Sequence, residues 1–457
     1  MKLQFYGAAA GVTGSHAVLD AGDIRVGVDA GLFQGRDSDR NWEGFGHDPR
    51  SLKALLLTHA HIDHSGRIPL LVKEGFSGEV YSTPATKDLC EIMLKDSAYL
   101  MKEEADRESR HPDQRNGEPR PPLYTDEDVS GALTRFKSVD YYKVHDIGGA
   151  SARFLDAGHI IGSAMVELSV NGQRLLFTGD MGRRGAPFLR DPDRVEGADW
   201  LVIESTYGNR DHGDMAERGK RLMEVILETI DRGGNVVIPA FAVGRTQEII
   251  YELNHYAERG RLEGVKTFVD SPMAISAMEI YSRHPEYFDE ETLRLLHSGD
   301  NPLDFPGIEY ARSREESKAI NDMKEAHIII SASGMCTGGR VIHHLVQNIG
   351  RRESTVLLIG YQAEGTTGRM LLDGAKTIRM MNKDWNVRAR IEYLDAFSAH
   401  AGRTGMLRWL RSFKEFPRQV FVNHGEPEAS RSFVEAIRSE FDADVVVPQP
   451  GEKFDLK

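Results

Sequence analysis

The 457-residue chain predicts an α/β fold divided into two or three domains. Two observations carry this. Short β-rich runs separated by Gly-rich turns crowd the N-terminal part, and from residue 235 onward a β-rich run repeatedly ends in a turn that opens a helix. In chain order, residues 3–6, 16–19, 25–29 and 152–155 read as short strands. The apolar run Ala54-Leu55-Leu56-Leu57 reads as a buried strand, and residues 68–72 as the start of a helix. The charged, Pro-containing stretch from Lys102 to Pro122 is expected to extend the preceding helix and then form a surface loop. Residues 166–170 and 174–177 flank Asn171-Gly172, the signal of a hairpin.

Successive βα units then follow. Residues 235–240 lead into a helix around 248–253, 267–270 into one after Pro272, and 327–330 into one over 341–349. The run 355–359 precedes Gly365-Thr366-Thr367-Gly368. The chain alternates once more at its end: a strand at 389–394, a helix from Met406, a strand at 419–422 and a helix from Glu428.

Composition narrows the class. A hydrophobic share of 40% and a charged share of 28% belong to a globular chain. No apolar run approaches the roughly 20 residues that cross a bilayer, and the first residues carry no signal-peptide pattern. Cys90 and Cys336 cannot build a disulfide framework or a thiolate zinc site, and they fit a cytoplasmic location. The net charge of −13 opposes bulk attraction to nucleic acid or an anionic membrane. Metal ions or a local basic cleft can still neutralise phosphates where the chemistry occurs.

The segment Thr58-His59-Ala60-His61-Ile62-Asp63-His64 follows directly on a predicted strand. His59 and His61 lie two apart, so an extended backbone aims both rings the same way. Asp63 and His64 sit where a helix starts, so one short segment can serve two adjacent metal ions. Imidazole with carboxylate and no thiolate suits zinc at a catalytic site. His159, Asp180 and His424 each stand where a predicted strand gives way to a turn, the position at which α/β proteins collect their sites.

With these residues placed, the chain resembles a metallo-β-lactamase-fold hydrolase. Asp29, the 59–64 segment, His159, Asp180 and His424 match its sequential motifs. Ile203-Glu204-Ser205-Thr206-Tyr207-Gly208 resembles motif A of the β-CASP nucleases, Ser398-Ala399-His400-Ala401-Gly402 motif B, and Val422-Asn423-His424-Gly425 motif C. Further hallmarks are Pro239 to Arg245 and Ser333-Gly334-Met335.

The resemblance implies an αββα sandwich from residues 1–200 and 389–457, with a β-CASP α/β domain inserted at 201–388 and an RNA cleft at their junction. It implies one zinc on His59, His61 and His159 and a second on Asp63, His64 and His424. Asp180 would bridge the two and Asp29 would orient the site. Members with His at motif C act on RNA, whereas the DNA-repair branch carries Val there. His424 therefore implies a ribonuclease, cutting inside RNA or from its 5′ end.

The implied reaction uses water activated by the two zinc ions, with His400 as general acid and Glu204 orienting its ring. Residues 331–340 open a helix with small residues, and a helix N-terminus attracts phosphate. Arg245, Ser331, Ser333, Gly334, Thr337 and Arg340 are the expected substrate contacts. Arg183-Arg184 reads equally as a source of positive potential or as a solvated pair, and His343-His344 reads as structural or substrate-contacting rather than metal-binding.

The expected partner is single-stranded RNA. With no appended RNA-binding module, substrate choice would rest on the cleft or on partner subunits of an RNA-processing complex. The β-rich 445–447 segment leaves room for a homodimer. Three rivals remain: a DNA nuclease of this fold, a catalytically silent scaffold subunit of an RNA-processing complex (a class that usually loses metal ligands, none of which is missing here), and a small-molecule hydrolase with no need for the insert.

Overall fold

A computed structural model describes residues 1–110, 120–213 and 217–457. The chain divides into two compact units. One comprises residues 1–186, 190–211 and 400–457, the other 187–189 and 212–399.

The first unit holds two seven-stranded sheets. The order in one is Lys453–Asp455, Lys2–Gly7, His16–Asp20, Arg25–Val28, Ala54–Leu56, Glu79–Ser82 and Phe136–Ser138. In the other it is Asp444–Val446, Gln419–Asn423, Trp200–Glu204, Gln173–Phe177, Ala164–Val170, Ser151–Asp156 and Val144–Asp146.

Alternation along Lys2–Gly7 sends Leu3 and Phe5 into the space between the sheets, where they join Val26, Leu56, Phe154, Val166 and Phe177. Strand Trp200–Glu204 is buried throughout, because its sheet is covered on both faces. Trp200 and Val202 face the inter-sheet core. Leu201 and Ile203 pack outward against Met406 and Trp409 of helix Arg403–Leu410 and Phe433 and Ile437 of helix Pro427–Glu440. This is the αββα sandwich the resemblance implied.

The hairpin forms as expected, with Gln173 paired to Val170 and both Asn171 and Gly172 at positive φ. Helix Pro84–Arg110 takes up the first part of the charged stretch; the loop expected beyond it, at 111–119, lies outside the described residues.

The second unit is built on a six-stranded, wholly parallel sheet in the order Ile308–Tyr310, Thr267–Val269, Ile328–Ser331, Val236–Pro239, Thr355–Ile359, Arg390–Leu394. The domain boundary expected after residue 388 moves to 399. Arg390–Leu394 pairs residue for residue with Thr355–Ile359 and so completes this sheet rather than returning to the sandwich. Likewise, the first unit keeps residues 201–211, because Trp200–Glu204 is hydrogen-bonded on both sides within it. Apolar patterning identifies a strand but not the sheet it joins. Among the described residues no helix is long and apolar enough to cross a membrane.

Candidate metal centre

The ligand candidates of the first unit stand just beyond strand C-termini. Ala54–Leu56 leads to His59, Gln173–Phe177 to Asp180, Trp200–Glu204 ends on Glu204, and Gln419–Asn423 delivers His424. The 59–64 segment is pinned from outside. Backbone N–H groups of Ser15, Ala30 and Leu32 donate to the carbonyls of Asp63, His64 and Ile62 at 2.8–2.9 Å. Gly31 permits this approach, since a Cβ there would stand 1.6 Å from the Asp63 carbonyl oxygen. Gly182 does the same beside His159, where a Cβ would lie 1.8 Å from the Gly158 carbonyl oxygen.

Two groups of donors converge. His61 Nδ1 lies 3.1 Å from His59 Nε2 and 3.2 Å from His159 Nε2. Asp180 Oδ2 stands 3.4 and 3.6 Å from the same two Nε2 atoms. A tetrahedral zinc with bonds of about 2.0–2.1 Å sets its ligands roughly 3.3 Å apart, close to these spacings. Burial holds His59 below its usual pKa, pushes His61 down to about 3 and lowers His159 strongly, so all three present neutral rings.

In the second group, His64 Nε2 lies 3.0 Å from His424 Nε2, and His424 Nε2 lies 3.5 Å from Asp63 Oδ2. Asp180 Oδ1 faces His64 Nε2 at 3.3 Å and His424 Nδ1 at 3.5 Å. That oxygen is buried and accepts no hydrogen bond, a costly arrangement for a carboxylate unless a cation fills the space. Burial opposes charging of His64, but Asp180 and Asp29 outweigh it and hold its pKa well above the usual value. The unpartnered Asp180 oxygen and the converging donors, rather than the charge on His64, fit the set to metal, with one Asp180 oxygen turned to each group.

Supporting residues fix the rings. His64 Nδ1–H donates to Asp29 Oδ2 at 2.7 Å, which turns Nε2 inward. Thr58 gives its backbone N–H to Asp29 Oδ1 at 2.9 Å, and its hydroxyl lies 3.0 Å from both Asp29 oxygens and 3.1 Å from His59 Nδ1. Thr58 and Asp29 thus tie His59 and His64 into one frame. Thr206 serves His424 in the same way, its hydroxyl 3.3 Å from Nδ1. Sequence reasoning missed both threonines; their only signal was a place one and two residues from His59 and Glu204.

His400 stands apart from both donor groups. Its Nδ1 lies 3.1 and 3.2 Å from the two Glu204 oxygens and 3.9 Å from Asp180 Oδ2. Burial opposes its charge, but Glu204 and Asp180 prevail and push its pKa up to about 9. Glu204 is fixed in turn by the Met181 N–H at 2.6 Å. A bridge between Gly182 and His400 locks the two segments together.

The remaining candidates belong to the second unit. Ser333 Oγ lies 3.0 Å from Thr337 Oγ1 and accepts the Thr337 N–H, in the turn that contains Gly334. Ser331 is buried and donates to the Asp270 carbonyl at 2.7 Å. Arg245 is buried against Glu248, with Nε lacking a hydrogen-bond partner. Arg340 departs most from expectation. Its guanidinium donates to Asp270 Oδ1 and to the Ala311 and Arg312 carbonyls at 2.6–3.0 Å, so it braces its own unit. His344 is likewise structural, 2.6 Å from Asp270 Oδ2.

Fold and donor set together define a metallo-hydrolase, and comparison with known proteins sharpens this. The Metallo-beta-lactamase superfamily matches residues 28–224, the Beta-Casp domain 246–371, and the Zn-dependent metallo-hydrolase RNA specificity domain 384–448. The chain is 38% identical to Ribonuclease TTHA0252 of Thermus thermophilus, over 94% of each protein. It is 32% identical to an RNase J-like protein of Methanocaldococcus jannaschii, over 88% of this chain and 89% of that one. Transcription termination factor FttA of the same archaeon is 30% identical, over 98% of this chain and 70% of its own. A crystal structure of a protein of unknown function from Enterococcus faecalis shares the fold, with a TM-score of 0.55 and 13% identity over 100% of this chain and 99% of that one. The chain belongs to the metallo-β-lactamase superfamily, in the group that carries an inserted Beta-Casp domain.

Proposed function

We propose that this metal-dependent hydrolase is a ribonuclease that cuts RNA phosphodiester bonds at the centre of its first unit. The observation that carries the reading is Asp180, whose two buried oxygens each face a separate set of metal-competent donors. His59, His61 and His159 would hold one zinc, and Asp63, His64 and His424 a second, with Asp180 between them. Bound there, two zinc ions would supply Lewis acidity toward a phosphoryl oxygen and a lowered pKa for water.

The chain's own residues do the rest. Asp29 and Thr58 hold His64 and His59 with their Nε2 atoms turned inward. Glu204 takes the Nδ1–H of His400, so Nε2 is the atom that delivers a proton to the leaving oxygen. RNA rather than DNA is supported by the ribonuclease relatives and by the RNA specificity match over 384–448. The reading includes a cytoplasmic location, supported by two buried, unbridged cysteines. It also includes self-association through the edge strand Asp444–Val446.

The test is cleavage of end-labelled single-stranded RNA and sequence-matched DNA by zinc-loaded protein, with Asp63→Ala as the control for contamination. RNA cut by the wild type alone supports the reading, and the product ladder separates 5′ trimming from internal cuts. Preferential DNA cleavage, or no cleavage with zinc confirmed bound, overturns it.

A further inference from the structure

The first unit contains a cavity of about 380 Å³, lined in part by Met181, Gly182, Ala401 and Gly402, which follow Asp180 and His400 in sequence. Five of its lining residues are arginines (Arg183, Arg184, Arg194, Arg408 and Arg411) and none is acidic. In a chain of net charge −13, this is a local reversal of sign. Arg184 is paired with Asp191 and Arg411 with Glu440. The exposed Arg194 and Arg408 make no ion pair among the described residues. Their guanidiniums are available to an anion, and a guanidinium fork matches the bidentate geometry of phosphate as it does that of carboxylate.

The wall is rigid. The Ala401 N–H donates to the Met181 carbonyl at 2.7 Å, and Trp409 Nε1–H donates to the Asp193 carbonyl at 2.8 Å. Arg183 follows Asp180 by three residues, a reach of at most roughly 11 Å along the chain. The basic wall therefore begins within a nucleotide or two of the reacting phosphate. Helix Arg403–Leu410, which supplies Arg408, lies inside the segment matched by the RNA specificity domain.

The geometry points to a phosphate-binding subsite in this cavity, occupied by the backbone of the same RNA strand on the side where His400 stands. It rests on the ribonuclease reading and deepens it: after cleavage, the product whose oxygen receives the His400 proton remains held by Arg194 and Arg408. Phosphate is the shared chemistry, and its two sources are an RNA backbone or a small phosphorylated molecule.

The experiment measures binding separately from cleavage. A fluorescent single-stranded RNA is titrated into zinc-loaded His400→Ala protein, with and without Arg194→Ala/Arg408→Ala, across a salt series. A matched loss of charge elsewhere, Arg135→Ala/Lys143→Ala, serves as the control, with zinc content and unfolding midpoint confirming that each variant is folded.

The subsite predicts at least tenfold weaker RNA binding in the cavity variant alone, for every sequence tried. It also predicts a salt dependence shallower by about 1 to 1.5 in log–log slope, the loss of two single-strand phosphate contacts. Equal weakening by the control pair, or unchanged affinity and slope, overturns it. So does tight binding of inorganic tripolyphosphate to the cavity with RNA affinity unchanged by the double substitution, because the cavity would then serve a free phosphorylated ligand. Failure of the parent protein to cut RNA would overturn the ribonuclease reading, while an affinity loss confined to the cavity variant would still stand.

Discussion

Thr58 carries a load out of proportion to its chemistry. Its hydroxyl accepts from His59 Nδ1 and donates to Asp29, which holds His64. One side chain thus orients a ring in each donor group. Thr58→Ala should weaken zinc binding by about 10–100-fold, the usual cost of losing such support, while Thr58→Ser restores it; competition with a chromophoric chelator measures both. The contrast shows what was legible at this scale. His59, His61, Asp63 and His64 could be read directly because their spacing and chemistry are distinctive. Thr58 and Thr206 could not, because threonine is common and their roles depend on contacts 29 and 218 residues away. The Asp270 contact of Arg340 was hidden for a related reason: a guanidinium beside a Gly-rich turn looks the same in sequence whether it faces a phosphate or braces a carboxylate.

At the scale of elements, close packing between loops positions the centre. Gly31 lets the backbone at 30–32 grip the 62–64 turn. Gly31→Ala should displace Asp63 and lower the bound zinc from two per chain toward one, as read by metal analysis, while the His59–His61–His159 group keeps its metal. Strand Ser151–Asp156 ends on a carboxyl that burial pushes up to about 7, with Asp193 reinforcing the shift and the Gly158 N–H and Arg190 opposing it. The native state therefore binds this proton more tightly than the unfolded chain. Its stabilising contribution is complete below the unfolded value of 3.8 and is lost as pH rises to about 7. Asp156→Asn should raise the unfolding midpoint by a few degrees at pH 8, and by less at pH 5, in thermal melts. The elements themselves were readable from periodicity, including the Asn171-Gly172 hairpin. The sheet joined by Arg390–Leu394 was not, since that is decided by long-range pairing.

For the molecule as a whole, the architecture explains how an acidic chain can act on a polyanion. Positive charge comes from metal and from arginines gathered at one place, rather than from composition. The donors reach the centre from segments around residues 59–64, 159, 180 and 424, so bound metal ties together parts of the first unit far apart in sequence. Chelation should lower that unit's unfolding midpoint, with zinc restoring it in a concentration-dependent way in calorimetry. The overall plan was legible because an inserted domain leaves the order of the motifs intact, although not the residue at which the insert ends.

The central claim is that metal-holding residues and the proton donor are separate sets. It is tested most directly by measuring zinc content and single-turnover RNA cleavage on the same sample of His400→Ala, beside the wild type. The account predicts two zinc ions per chain in both proteins and a rate about 10²–10⁴-fold lower in the variant. Cleavage at the wild-type rate, or zinc lost together with activity, would contradict it.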